Sequence, residues 1–352
     1  MGRRVGAPKR KSEMDWFHRI TGFKEARYGE TQRRLQAREG HLYVDGVSTS
    51  YGVGELEIIS LHVLRERAAA ITKAPGQLQA QVVQGDAREL HRWAASDGAL
   101  FQVASQFNLL EMAGPDVTPE AGVTGYAHDH TQGPACAMAA GAGTLFRNYL
   151  LPLPGGTGQT ARRQVDCLAP LGAALGNDHG ALWTMRNGYA LASVEGLRYV
   201  DALLQARSPF ELDALRGLLE IGVHWNVQVT EPGADHTVTQ AYCSALPVAY
   251  CAAPRQLWAR FATLVLEAAY EATLLAGVLN AAATGNPLVY FTRIGGGGFG
   301  NETGWIHGAM ARALEIARSW SLDVRVVSFG RPGQEMLELV APYNGAGNGS
   351  RR

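Results

Sequence analysis

The segment Gly295-Gly296-Gly297-Gly298-Phe299-Gly300-Asn301 lies between an apolar run, "PLVYFTRI" (287–294), and an amphipathic one, "WIHGAMARALEIARSW" (305–320). Four successive glycines carry no Cβ, so their backbone can turn tightly and approach a ligand closely. A strand feeding such a loop, and the loop feeding a helix, is an α/β arrangement. The helix start adds unpaired N–H groups and the positive end of a dipole. Together these make a nest for a phosphate or diphosphate. The competing reading is a glycine turn that serves packing alone. The run lacks the Lys-Ser/Thr ending of a nucleoside-triphosphatase loop. It also lacks the G-x-G-x-x-G spacing, with an acid after the next strand, of a dinucleotide fold.

Around this feature the chain of 352 residues divides into four parts. Residues 1–13 carry Arg3, Arg4, Lys9, Arg10 and Lys11 and read as a disordered basic arm. Residues 14–75 read as a small α+β extension, with a hairpin at "HLYVDGVSTSY" (41–51) and a helix at 60–71. Residues 76–340 read as the main domain, with 151–237 an insertion or subdomain, and 341–352 as a disordered tail. Within the main domain, Ser208-Pro209 with Glu211 spells a helix start. The run 255–285 spells a long buried helix.

Charge bounds the partners. Lys and Arg total 32, as do Asp and Glu, so no overall basic surplus supports a general grip on nucleic acid. No apolar run follows the basic start, which argues against a secretory signal, and no membrane span is expected. Cys136, Cys167, Cys243 and Cys251 form no C-x-x-C or Cys/His cluster. They read as reduced, buried thiols of a cytoplasmic protein that needs no metal or cofactor.

The segments also follow a known order. "LEAAYEATLLA", "PLVYFTRI", "GGGGFGN", "WIHGAMARALEIA" and "LDVRVVSF" resemble the C-terminal half of a macrodomain, the ADP-ribose-binding family. Upstream, "VVQGDAREL" is similar to the family's first-strand G-D element. "FQVASQFN" is similar to its strand ending in asparagine, and "TQGPACAMAAGAG" to its first loop and small-residue helix. The likeness spans about 77–150 and 238–335 in fragments. It implies a three-layer α/β/α domain with a mixed central sheet, and ADP-ribose or an ADP-ribosylated protein, nucleic acid or small molecule as ligand. The first loop, "DHTQGPACA", departs from the family by lacking its three glycines. Where hydrolytic relatives place an aspartate before the helix, Gly133 stands here, with Asp129 four residues earlier.

On this resemblance Asp86 receives an adenine amino group, Asn108 holds the distal ribose, and Gln132 joins Gly295–Asn301 in holding the ligand; the competing readings are a turn residue or helix cap for Asp86 and an amide satisfying nearby backbone for Asn108. Phe299 packs on the distal ribose or anchors its loop. The loop from Glu111 to Gln132 also holds Asp116, Glu120, His128, Asp129 and His130. Of these acids, Asp129, then Glu120, is expected to orient a water at the anomeric carbon. Glu267 and Glu271, four apart, share one helix face and read as structural. No G-x-S-x-G motif occurs, and Cys243-Ser244 has no evident base nearby. Three readings remain: an ADP-ribosyl hydrolase, a binding module without turnover, or a scaffold that has lost its ligand.

Overall fold

The computed structural model describes residues 15–72 and 76–344. The basic arm 1–13 and residues 345–352 of the tail lie outside the described residues.

Seven strands form one mixed sheet: β1 (Glu55–Ser60), β2 (Gln79–Gln84), β3 (Leu100–Ala104), β4 (Glu220–Gln228), β5 (Thr237–Cys243), β6 (Leu288–Phe291) and β7 (Asp323–Ser328). Their spatial order is β1-β4-β5-β3-β6-β7-β2. From β5 to β2 every pairing is parallel, whereas β4 runs antiparallel to both β1 and β5. The central strands "LFQVA" and "LVYF" are buried along nearly their whole length, as strands covered on both faces must be. The edge strand β2 alternates between exposed and covered positions.

Alternation along β5 shows the two layers. Thr239 and Cys243 reach α6 (Arg255–Thr284), through Asn280 Oδ1 at 2.7 Å and Thr273 Oγ1 at 3.4 Å. Gln240 points the other way and donates to the Cys136 carbonyl of α3 (Gln132–Ala139) at 2.9 Å. On the first face α6 packs against α1 (Leu61–Ala70), α4 (Val194–Gln205), α5 (Pro209–Gly217) and α7 (Thr303–Ile316). The second face carries α2 (Ala87–His91), α3 and the helical stretch 141–150. This is a three-layer α/β/α architecture with a mixed central sheet. By length and mean hydropathy α6 is apolar enough to cross a bilayer, yet its apolar window is 83% buried inside this fold.

The flanking segments are more integrated than their composition suggests. The extension supplies β1, and the stretch 151–237 supplies β4, which lies between β1 and β5. "ELEIIS" carries two acids in six residues and so reads weakly as a strand, although it pairs with β4 from Ser60 to Glu55. Trp16 and Ile20 pack so closely on Gly141 that a Cβ there would lie 2.9 Å from the indole and 2.4 Å from the Ile20 methyl. The start of the expected tail also has structure: residues 341–343 form a 3-10 turn, and the Tyr343 hydroxyl donates to Glu315 at 3.1 Å. The predicted capping box is present, with Ser208 and Glu211 capping each other.

Glu271 is 3% exposed and binds Arg65 and Arg312, each at 2.6 Å, while Glu267 binds Arg216 at 2.7 Å. Asp213 joins the same arginines. The cluster ties α1, α5, α6 and α7 together, so both glutamates hold the helix layer.

Candidate functional site

A cleft opens at the carboxyl ends of the parallel strands, where open α/β sheets characteristically bind ligands. It has two lobes, of about 250 and 380 Å³, which share Thr131, Gln132, Thr292, Arg293 and Gly297.

The glycine loop forms the seam. Gly295 and Gly300 sit in the left-handed region, at φ of 74° and 71°, where a side chain is strained. A Cβ on Gly295 would also lie 2.5 Å from that of Ala245. Asn301 fixes the loop base: its amide nitrogen donates to the Leu246 carbonyl at 2.9 Å, and its backbone N–H to Gly295 at 3.0 Å. Gly297 differs, since a Cβ there would meet nothing within 4 Å. The N–H groups of Gly297, Gly298 and Phe299 donate to no acceptor among the described residues. Gly300 and Asn301 line neither lobe, and nor does the start of α7, where Glu302 pairs with Arg255 at 2.7 Å. The helix dipole expected to face the ligand therefore lies behind the loop. Arg293 lines the cleft instead. This exposed guanidinium borders both lobes and meets only Thr303 Oγ1, at 3.2 Å; it is the one Arg or Lys lining them among the described residues.

The larger lobe joins the ends of β2 and β7. Asp86 lines it and caps α2, its Oδ1 accepting from Arg88 N at 2.7 Å. That leaves its second oxygen for another donor. Phe329, 80% exposed, lies on the same lobe with Met336 and His130. A carboxylate beside an exposed aromatic ring suits a planar heterocycle bearing an amino group.

The smaller lobe is lined by Tyr189, Tyr250 and Phe299, whose ring centroids lie 5.0–5.7 Å apart. It also holds Glu111 and Asp129. Glu111 is 3% exposed, and neither of its carboxylate oxygens has a hydrogen-bond partner among the described residues. Burial pushes its carboxyl up to about 8, against the opposing pull of Arg147, 4.0 Å away. The nearby Tyr126 hydroxyl also opposes the shift, but its hydrogen bond in place is with the Glu111 backbone N–H, at 3.1 Å.

A tight turn presents Glu111. Leu109 adopts φ of 63°, Gln106 Oε1 accepts from Met112 N at 2.7 Å, and the Tyr189 hydroxyl donates to the Met112 carbonyl at 2.7 Å. Asn108 belongs to this scaffold. It is fully buried, donates to Gln164 Oε1 at 2.8 Å, accepts from Leu110 N at 3.2 Å, and lines neither lobe. Its amide is committed to the turn and does not reach a ribose placed in the cleft.

The other loop acids separate. Asp129 Oδ1 accepts from Thr131 N at 2.8 Å just ahead of α3, and the residue lines the smaller lobe with its second oxygen uncommitted among the described residues. Glu120 is exposed, accepts from Ala161 N at 3.0 Å, and lines neither lobe, so it stands away from any reacting centre in the cleft. Gln132 borders both lobes, but its side chain holds α3 to β3, bonding Ala104 N at 2.9 Å and the Gln102 carbonyl at 2.8 Å. Gly133 touches the strand end: a Cβ there would lie 1.9 Å from the Ala104 oxygen and 3.1 Å from Glu111 Cγ. An acid cannot be accommodated at that position. Glu25 secures the loop from the extension, accepting from Val123 N and Thr124 N at 2.8 Å and from Tyr149 Oη at 2.6 Å.

Sequence reasoning did not single out Arg293, although it interrupts an apolar run directly before the glycines. It named Glu111 only among the loop acids; the apolar neighbours Leu109, Leu110 and Met112 were the sign of its burial. Cys243 reaches the smaller lobe as a thiol that burial pushes up to about 12. Among the described residues no three His, Cys, Asp or Glu side chains converge as metal ligands.

No family model and no curated protein sequence matches the chain. Solved structures with a similar chain path include poly(ADP-ribose) glycohydrolase from Thermomonospora curvata bound to the inhibitor ADP-HPD. It is 12% identical over 90% of this chain and 94% of that one, with a TM-score of 0.39. Another is poly(ADP-ribose) glycohydrolase from Deinococcus radiodurans in complex with ADP-ribose, 13% identical over 82% of this chain and 93% of that one, with a TM-score of 0.41. Superposition at this level assigns no residue a role.

Proposed function

We propose that the cleft binds ADP-ribose, or an ADP-ribosylated or NAD-derived ligand, and hydrolyses an ADP-ribosyl linkage. The observation that carries this reading is the seam: Gly297, Gly298 and Phe299, with unpaired amides, line the cleft together with Arg293, between two lobes of different chemistry. A diphosphate satisfies those donors and the guanidinium together. The larger lobe then takes the base, with Asp86 accepting from an exocyclic amino group and Phe329 against the ring. The smaller lobe takes the distal ribose against Tyr189, Tyr250 and Phe299. Its anomeric carbon lies near Asp129, whose free oxygen orients a water for attack on a cation-like centre. Fixing the diphosphate holds that carbon in place, so binding energy far from the reaction serves the chemical step.

The test has two parts. Calorimetric titration should give one site for ADP-ribose, with weaker binding of ADP and of ribose 5-phosphate, each of which fills only part of the cleft. Wild-type protein should then release free ADP-ribose from a panel of modified proteins and nucleic acids. Binding without release supports a module that reads or sequesters the ligand, in keeping with Gly133 at the helix start. Absence of ADP-ribose binding overturns the proposal.

A further inference from the structure

We infer that Glu111 is the proton donor to the leaving group, working with Asp129, which lines the same lobe. This rests on the reading of the cleft as an ADP-ribosyl hydrolase site and assigns the acid half of its chemistry.

The buried side of the lobe carries the argument. Two carboxylates line it, in different surroundings. Asp129 is partly exposed and already hydrogen-bonded by Thr131 N at 2.8 Å. Glu111 is enclosed, with both oxygens unpartnered among the described residues. The titratable and charged groups around it are Arg147, Tyr126, Asp129, Cys136 and Tyr242. Arg147 is committed elsewhere: it donates to the Leu109 carbonyl at 3.0 Å and to Thr144 Oγ1 at 3.1 Å, and stacks over Tyr242 at 3.8 Å. It therefore gives Glu111 no hydrogen bond, and burial keeps the proton on the carboxyl up to about pH 8. The enclosed, unpartnered carboxyl is placed to give a proton, and Asp129 lines the same lobe for the water.

Local packing explains the position. A buried carboxyl with unused hydrogen-bonding capacity is costly, and a fold that keeps one needs a reason for it. The turn 106–112 is held by Gln106, Asn108 and Tyr189, so the carboxyl is presented rigidly. Gly133 leaves the space beside the Glu111 stem, at the start of α3, free of any side chain.

The step balances. The bond between the anomeric carbon and the leaving oxygen or nitrogen breaks, and its electron pair takes the proton from Glu111. Water oxygen bonds to the carbon and gives its proton to Asp129. The products are ADP-ribose and the protonated leaving group. Solvent then returns the proton from Asp129 and restores Glu111, so no co-reactant is needed.

Glu111→Gln separates a proton donor from a structural residue, because it preserves shape and burial but cannot give up a proton. Two substrates are compared: an O-ADP-ribosylated serine peptide, whose leaving group needs a proton, and ADP-ribose bearing a 4-nitrophenoxy group at the anomeric carbon, whose leaving group does not. Glu111→Gln is expected to lower kcat on the peptide by about 10²–10⁴-fold with KM within a few fold. On the nitrophenyl substrate it should retain activity within about tenfold, and ADP-ribose affinity should be unchanged. Equal losses on both substrates, or full activity on the peptide, overturn the assignment. A wild type that binds ADP-ribose but cleaves neither substrate overturns it while leaving the binding reading intact. A wild type that does not bind ADP-ribose overturns both.

Discussion

Replacing Arg293 by Ala removes the one Arg or Lys lining the cleft among the described residues. Within the protein its exposed guanidinium makes a single hydrogen bond, at 3.2 Å, to a half-buried threonine, so folding stability should change by less than about 0.5 kcal/mol. Toward a bound diphosphate the same group makes charge-assisted hydrogen bonds, worth about 1.5–3 kcal/mol. Its exposure favours the lower half of that range. The expected loss of ADP-ribose affinity is therefore about 10–50-fold. Two controls make the result specific. Adenosine, which lacks phosphate, should lose less than about twofold, the scale of a side chain it does not meet. Raising salt from 0.15 to 1 M shortens the screening length from about 8 to 3 Å, so wild-type affinity should fall more steeply with salt than the variant's. The assay is isothermal titration at both salt concentrations. Equal affinity of Arg293→Ala and wild type for ADP-ribose at low salt would show that the diphosphate does not sit at the seam.

Asp86→Ala should weaken ADP-ribose by about 1–3 kcal/mol and ribose 5-phosphate much less, in parallel titrations. It should also cost about 1 kcal/mol of stability through the lost cap of α2. Gly133→Ala brings a Cβ within 1.9 Å of the Ala104 oxygen, so urea unfolding should report a loss of about 3 kcal/mol, against little for Gly125→Ala, where nothing lies within 4 Å. Stability should also fall toward both ends of the pH range. Glu111 is raised from 4.5 to about 8 in the fold, so its contribution is full below the unfolded value and is lost as pH rises through about 8. His91 and His224 are lowered by burial from 6.5 to about 4 and about 3, so their contribution is full above 6.5 and is lost as pH falls through those values. Unfolding measured from pH 4 to 9 should therefore show a flatter alkaline limb in Glu111→Gln and a flatter acid limb in His91→Gln.

The acid limb has a structural origin. His91 Nδ1 donates to the Ala87 carbonyl at 2.7 Å, which leaves Nε2 to accept from Gln240 Nε2 at 3.0 Å. Protonation there sets donor against donor in a sealed site. The ring stacks on Phe101 at 3.6 Å, and Phe101 on Tyr290 at 4.2 Å, so the pair cannot separate without disturbing the sheet.

Where local chemistry decides structure, the sequence is readable. The strand–glycine–helix succession, the long apolar helix and the Ser208 capping box are local patterns, and each appears in place. Asp86 after its strand likewise stands at the cleft. Partnership over long distances is not readable in this way. Nothing near Glu55–Ser60 announces pairing with 220–228, and nothing near Asn108 announces Gln164 as its partner. Asp129 and Glu120 look alike as loop acids, but one turns into the cleft and the other caps Ala161. Glu111 is hidden for the same reason: its burial comes from Tyr126, Arg147 and α3, all far along the chain.

If the glycine loop holds a diphosphate, Gly297 is where a substitution shows it most directly. A Cβ at that position meets no heavy atom within 4 Å, and Gly297 lines both lobes, so a side chain can be added beside the cleft without disturbing the loop. Gly297→Glu places a carboxylate where the amides and Arg293 should meet phosphate. Calorimetric titration of wild type and this variant with ADP-ribose, with thermal melting to confirm that the variant is folded, should show one-site binding for wild type and no measurable binding for the variant. Equal affinity in a folded variant, or no binding by wild type, would contradict the account.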